Sequence, residues 1–294
     1  MATHAPMLNQ AASQQPPGDL LIKFWGVRGS VPTPGAATAR YGGNTPCVEV
    51  ISGDQRLIFD GGTGLRVLGE ALHGEPAPVQ AHIFFTNSQW DRIQGFPFFL
   101  PAFFPGNCFH IYGGTATNGA SIKQCLTTQM LKPGFALPMQ SMQANLDFTI
   151  LQPGGRICLG EAGETTVEVI GLNSQVNAFG YRISRQGRSI VYATDTNPDQ
   201  LDENLVYLAQ GADVLIYDGT YADLSDQGAK PRINPWDTAL QVKQAAQAKY
   251  MVLFHHGPRQ TDAHLDRLAA RLAKITPQVT LAREGMVIDL SNLT

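Results

Sequence analysis

Short runs of β-branched and aromatic residues, each stopped by Gly, Pro, Asn or Asp, constrain the fold of this chain more than any other feature. In the first half they follow one another closely: LLIKFWG (20–26), CVEVIS (47–52), RLIFD (56–60), AHIFFT (81–86) and FHIYG (109–113). Such runs read as strands. Further strands are expected at TVEVIG (166–171), FGYRIS (179–184), SIVYAT (189–194), DVLIYD (213–218), YMVLFH (250–255), QVTLA (278–282) and MVIDL (286–290). Helices with recognisable starts alternate with the later ones. Asn197-Pro198 opens one that runs through Leu208 and is closed by Gly211; Asn234-Pro235 opens one through Lys249, and Thr261 one through Ile275. Residues 114–165 are less regular and read as a helix and a hairpin over one face. Many strands first and strands alternating with helices later predict an α/β fold in which sheets are sandwiched between helices.

With 294 residues and 43% apolar content the chain can bury a large core. Charged residues make up only 15%, the net charge is −3, and Lys and Arg form no run, so the electrostatic footprint of a nucleic-acid partner is absent. Cys47, Cys108, Cys125 and Cys158 stand far apart without a CxxC pair, which predicts reduced thiols and a cytoplasmic protein. Residues 1–19 lack the basic start and apolar segment of a signal peptide and are expected to be a flexible tail, with 20–294 forming one domain. No apolar stretch reaches the ~20 residues of a membrane span; Phe96 to Phe109, the nearest, is broken by Pro97, Pro101 and Pro105.

Polar residues stop an apolar run at four strand ends: Asp60 after RLIF, Asp91 within TNSQWDRIQG, Asp195 after VYAT, and His255-His256 after MVLF. Loops leaving strand ends are where α/β proteins build their sites. A helix cap or a solvated turn is the better explanation of any one of them taken singly, and four in one chain argue against coincidence. Asn87, Gln89, Asp91 and Arg92 have the spacing of side chains converging on a metal, yet three of the four are poor ligands at neutral pH. Gly42-Gly43-Asn44 and Gly61-Gly62-Thr63-Gly64 lack the spacing of phosphate-cradling loops.

The segments FWGVRGSVPTPG, RYGGNTPCVEV, LIFDGGTGLRVLG, IQGFPFFLPAFFPGN, FGYRI, YATDT, GADVLIYDGTY and LFHHGP resemble the metallo-β-lactamase-fold hydrolases, in the branch similar to ribonuclease Z and related phosphodiesterases. The resemblance runs in order from about Leu20 to Leu290. It implies a four-layer αβ/βα sandwich with a two-metal centre at one sheet edge, usually zinc, manganese or iron, where a bridging hydroxide attacks a phosphodiester or ester.

Carried over position by position, the family's HxHxDH motif falls on Asn87, Gln89, Asp91 and Arg92. Its later histidine falls on Ser174, its bridging aspartate on Asp195 and its final histidine on His255. A further histidine that assists proton transfer aligns loosely with Trp236. Asp60 resembles the carboxylate that stands behind the family's metal ligands.

One metal position thus retains only Asp195, while the other retains Asp91, Asp195 and His255 with Arg92 in place of its fourth ligand. An arginine offers no lone pair and stays charged. The expectation is that its guanidinium replaces metal as the counter-charge of Asp91 and Asp195, and that no cofactor is held. The alternative is one divalent ion, zinc or manganese, on Asp91, Asp195 and His255. The amide oxygens of Asn87 and Gln89 would suit a harder cation.

These substitutions predict a catalytically degenerate protein that binds a protein partner or a small anionic ligand beside Arg92, Trp236 and His256. A surviving mononuclear or metal-independent hydrolase is the second reading. A structural subunit, using the sandwich edge or the run Phe96, Phe98, Phe99, Phe103, Phe104 as a homodimer or hetero-complex interface, is the third, although burial of that run in a helix after the site is the expected arrangement.

Overall fold

A computed structural model describes residues 20–73, 75, 78–196, 201–218 and 235–293. Two seven-stranded mixed sheets face one another with helices on both outer sides, giving the four-layer αβ/βα sandwich. The first sheet runs β14 (Val287–Asp289), β1 (Leu20–Gly26), β2 (Cys47–Ser52), β3 (Gln55–Phe59), β4 (Gln80–Phe84), β5 (Cys108–Gly113) and β6 (Asn145–Ile150). The second runs β13 (Val279–Leu281), β12 (Tyr250–Phe254), β11 (Val214–Asp218), β10 (Arg188–Ala193), β9 (Ala178–Arg185), β8 (Thr165–Asn173) and β7 (Arg156–Leu159).

Each sheet has a parallel half, β3 to β6 in one and β10 to β13 in the other, and an antiparallel half. In β1, alternation puts Leu20, Ile22 and Phe24 into the core between the sheets, where they meet Phe84, Tyr181, Tyr192 and Phe254. Phe84 stacks on Phe59 and on Tyr112, with ring centroids 5.3 and 4.6 Å apart.

Each outer side has its own core. The helix α1 (Thr63–His73) packs Leu65, Leu68 and Leu72 on the first sheet, an i, i+3, i+7 stripe. The helices α4 (Glu203–Leu208), α5 (Pro235–Ala245) and α6 (Asp262–Ile275) cover the second, with Leu265, Leu268 and Leu272 facing inward from α6. Thr261 caps α6, its side chain accepting from the His264 N–H. Asn197 and Pro198 lie outside the described residues, and α4 is capped instead by Asp202.

The hairpin of β7 and β8 only straddles the end of 114–165, because its second strand runs on to Asn173, and it lies at a sheet edge rather than over a face. β6 pairs parallel with β5 at the edge of the first sheet, and β7 pairs antiparallel with β8 at the edge of the second. The helix α3 (Ile122–Gln129) forms in that region with a capping box between Ser121 and Gln124.

After β4 the chain makes a short helix α2 (Trp90–Ile93) and two 3-10 turns, Phe96–Phe98 and Leu100–Phe103, because Pro97 and Pro101 deny a longer helix its backbone donors. Phe96 and Phe99 are buried as expected, whereas Phe98 and Phe104 are exposed. No described helix is long and apolar enough to cross a membrane.

Candidate functional site

The carboxyl ends of the parallel strands of both sheets meet at one edge of the sandwich. Asp60 follows β3, the segment Thr86 to Arg92 follows β4, Asp195 follows β10, Asp218 ends β11 and His255 follows β12. Asp60, Asp195 and His255 all hold positive φ, at 62°, 58° and 61°. Each of these left-handed backbones costs on the order of 1–3 kcal/mol unless its surroundings fix it, and such outliers concentrate at functional sites. Two glycines permit the close approach that brings α2 against the loop after β3. A Cβ at Gly95 would lie 1.9 Å from the Gly62 carbonyl oxygen, and one at Gly62 would lie 2.5 Å from the Asp91 carbonyl oxygen.

Arg92 occupies the centre with no exposed surface. Its Nη2 donates to Asp195 Oδ2 at 2.8 Å and its Nη1 to Asp60 Oδ2 at 3.3 Å, while its Nε lies 3.9 Å from Asp91 Oδ2. The guanidinium therefore hydrogen-bonds Asp60 and Asp195 and flanks Asp91: its charge acts on Asp195 and Asp91, as expected, and in addition on Asp60. Burial works against its charge, but Asp195, Asp91 and Asp60 outweigh it and hold Arg92 well above the ordinary arginine value. Asp60 does more than the sequence assigns it: it accepts from the Thr86 N–H at 2.8 Å, from the Thr86 hydroxyl and from the Tyr192 hydroxyl at 2.9 Å. Burial pushes its carboxyl up to about 6 despite Arg92.

His255 links the two sides of the centre. Its Nε2 lies 2.9 Å from Asp91 Oδ2, and its Nδ1 lies 3.2 Å from both oxygens of Asp218. Burial and the neighbouring Arg92 oppose a charge on this ring, but Asp218 and Asp91 outweigh them and lift it to about 9. At neutral pH His255 is an imidazolium that donates from both nitrogens. Burial would raise Asp91, yet Arg92, His255 and the Ser30 N–H, 3.0 Å away, hold it well below the usual carboxylate range.

A group whose folded pKa exceeds its ordinary 6.5 stabilises the fold fully below that value and loses the contribution as pH rises through about 9. Denaturant midpoints are therefore expected to fall between pH 6.5 and 9 by an amount equivalent to about 3 kcal/mol. His255→Gln should flatten this slope, and a wild-type midpoint constant across the window would contradict the charged imidazole.

Asn87 is buried, and its orientation is fixed. Its Oδ1 accepts from the Gln89 N–H at 2.8 Å, so its Nδ2 donates to Asp195 Oδ2 at 2.8 Å. It presents an N–H where a metal ligand would present a lone pair. Gln89 and Ser174 are exposed, Ser174 in the turn between β8 and β9; its neighbour Asn173 is the residue that reaches the site, donating to the Asp195 carbonyl at 3.0 Å.

Among the described residues, one group of three could gather a metal by distance alone. Asp195, Asp218 and His255, all buried, offer ligand atoms within 4.8 Å of one another. Asp91, expected with Asp195 and His255, is replaced in that grouping by Asp218. The sequence reading passed over Asp218 although it ends the apolar run DVLIY, the same signal that flagged Asp60 and Asp195.

The chemistry of this donor set does not fit a metal while Arg92 is present. Arg92 Nη2 comes within 2.8 Å of Asp195 Oδ2 and 3.5 Å of His255 Nδ1, and His255 directs both nitrogens at carboxylates. At an effective dielectric of about 20, a guanidinium about 4 Å from a divalent ion cancels about 8 kcal/mol, the attraction of one carboxylate at that distance.

The ligand role expected of Arg92 and His256 meets a physical obstacle, because neither side chain reaches the surface. Arg92 is enclosed, and His256 is 2% exposed with its Nε2 at 2.8 Å from the Ala282 carbonyl oxygen. Burial pushes His256 down to about 4, so it is neutral and donates to that carbonyl. The side chain of Trp236 lies outside the described residues.

Residues 55–256 match the model of the β-lactamase superfamily domain. The ribonuclease Z of Crocosphaera subtropica is 35% identical over 108 residues, 35% of this chain and 34% of that protein. The match to such curated relatives thus spans about a third of their length. The metallo-β-lactamase-fold protein YhfI from Bacillus subtilis superposes with a TM-score of 0.63 at 18% identity, over 92% of this chain and 98% of that one. The short form of human tRNase Z superposes with a TM-score of 0.62 at 20% identity, over 92% and 99%. These two likenesses concern the fold. With the family model spanning residues 55–256 on a sandwich of this architecture, the chain belongs to the metallo-β-lactamase superfamily, and over the third that matches it is similar to ribonucleases Z.

Proposed function

We propose that this chain is a catalytically degenerate member of the superfamily that acts by binding a protein partner or a small anionic ligand, as a regulatory or assembly factor. The observation that carries this reading is the buried Arg92 guanidinium, ion-paired with Asp60 and Asp195 in the middle of the would-be metal centre. A permanent cation in that place balances charge but cannot lower the pKa of a bound water to generate a nucleophile. Because Arg92 and His256 are enclosed, a ligand approaching this edge would meet the exposed Gln89, Trp90 and Ser174 first.

A second reading, a mononuclear or metal-independent hydrolase acting on a phosphodiester or ester, is the one the comparisons favour: the curated relatives are ribonucleases Z, and Asp195, Asp218 and His255 remain grouped. Elemental analysis of protein purified without chelator, paired with an assay on bis(p-nitrophenyl) phosphate, separates the two. The binding reading expects far less than one equivalent of transition metal and no turnover above buffer. About one equivalent of metal, with turnover that a chelator removes, would establish the hydrolase instead. Turnover that is insensitive to chelator and abolished by His255→Gln would establish its metal-independent form.

A further inference from the structure

At the opposite end of the parallel strands from the Arg92 centre, three neighbouring strands bring together side chains with chemistry of their own. Register sets His82 of β4, His110 of β5 and Asp147 of β6 abreast, and two residues earlier sets Cys108 beside Asn145. Residues 108 and 110 share a face of β5 because side chains alternate along a strand. Cys108 Sγ lies 3.8 Å from His110 Nε2, and His110 Nδ1 lies 3.3 Å from Asp147 Oδ2. Asn145 Nδ2 lies 3.6 Å from the same sulfur. The row is a thiol beside an imidazole whose far nitrogen is oriented by a carboxylate, the nucleophile, base and orienter relation of thiol chemistry.

Access and orientation both suit reaction from solvent. Cys108 is partly exposed, and the side chains of His110 and Asp147 are 40% and 62% exposed. With Nδ1–H donated to Asp147, His110 keeps its lone pair on Nε2, toward the sulfur. His82, whose ring stacks on His110 with centroids 5.0 Å apart, adds no charge: it bonds Tyr112 through Nδ1 and is pushed down to about 4 by burial and by His110, so it is neutral. Among the described residues the three-ligand metal grouping lies elsewhere, at Asp195, Asp218 and His255, so this row is not a formed metal cage.

We propose that Cys108 is a hydroperoxide-reactive thiol, with His110 as its base and Asp147 as the residue that positions the imidazole. His110 Nε2 takes the thiol proton as sulfur attacks the terminal oxygen of a hydroperoxide ROOH. The S–O bond forms while the O–O bond breaks, and the departing alkoxide takes the proton from the imidazolium to leave as ROH. Sulfur loses two electrons and the peroxide gains them, leaving a sulfenic acid, Cys108–SOH. A low-molecular-weight thiol then displaces water to form a mixed disulfide, and a second equivalent restores the free thiol. This proposal does not depend on the Arg92 centre.

The test exposes the intact protein to hydrogen peroxide at pH 7 with dimedone as the sulfenic-acid trap and follows each cysteine by peptide mass spectrometry. Cys158, which is more exposed than Cys108, serves as an internal reference, and the buried Cys47 as an unreactive one. Cys108 is expected to acquire the adduct about tenfold faster than Cys158, and His110→Gln to remove that advantage without altering the Cys158 rate. Asp147→Asn should lower the Cys108 rate less than His110→Gln does and flatten its pH dependence, which a merely structural carboxylate would not do. Equal rates at Cys108 and Cys158, or a Cys108 rate indifferent to His110→Gln, overturns the proposal. Stoichiometric protection of Cys108 by zinc, reversed by chelator, overturns it in favour of a soft-metal site.

Discussion

Arg92→Ala is expected to lower the free energy of unfolding by roughly 3–5 kcal/mol. The substitution removes the cation that donates to Asp60 and Asp195 and flanks Asp91, while leaving those carboxylates buried where they are. The penalty comes from the stranded anions more than from lost attraction, since an uncompensated buried charge must either be hydrated or take up a proton. Urea denaturation at pH 7 measures it. Lowering the pH toward 5 should recover part of the loss, because protonation neutralises the carboxylates the variant has stranded. Arg92→Lys separates charge from shape: an ammonium is a point charge and cannot bridge Asp60 and Asp195 as the planar fork does, so an intermediate loss is expected. A midpoint unchanged in Arg92→Ala would mean that the guanidinium is not the counter-charge of the centre, and the binding reading would lose its main support.

The parts of this protein that the sequence disclosed are those governed by short-range rules. Apolar alternation located β1, β2 and β8 to β12 to within a residue or two, and Thr261 announced α6, because strand pleat and helix capping act within a few residues. The parity of a segment carries no information about which sheet it joins. Nothing local in the sequence therefore tells that β6 and β7, neighbours along the chain, close the edges of different sheets. The helix α1 was overlooked for another reason: its leucine stripe at 65, 68 and 72 is interrupted by Gly64 and Gly69, which pull helix propensity down while close packing calls for them. A Cβ on Gly64 would sit 2.7 Å from the backbone of β1.

The site divides in the same way. Strand ends bring Asp195 and His255 together, but Asp218 joins them where the resemblance implies Asp91, which meets His255 through Nε2. Rotamers decided the rest: Arg92 reaches past its sequence neighbour to Asp60 and Asp195, and Asn87 turns its amide N–H toward Asp195. Asp218 went unnoticed because the family pattern gave it no ligand role, yet it fixes the His255 ring and accepts from the Asp195 N–H at 2.9 Å.

Restoring histidine at positions 87, 89, 92 and 174 together is expected to make the stability of the protein depend on metal. Arg92→His removes the cation that repels a divalent ion; Asn87→His and Gln89→His supply lone pairs on the segment after β4; Ser174→His adds one from the turn beside Asn173, which already contacts the Asp195 backbone. The four changes also strand Asp60, Asp91 and Asp195, so without metal the variant should be destabilised much as Arg92→Ala is. Zinc then becomes the missing counter-charge, and a ligand that binds only the folded state raises its stability by about 2.7 kcal/mol at a hundred times its dissociation constant. The melting temperature of the variant should rise with zinc and fall with chelator, while the wild-type melting temperature ignores both. Arg92→His alone should show less of this dependence, because Asn87 still aims a donor at Asp195. A quadruple variant that is folded by circular dichroism yet indifferent to zinc would show that the histidine positions do not converge at the Arg92 centre, and the inheritance of a metal site by these strand ends would have to be abandoned.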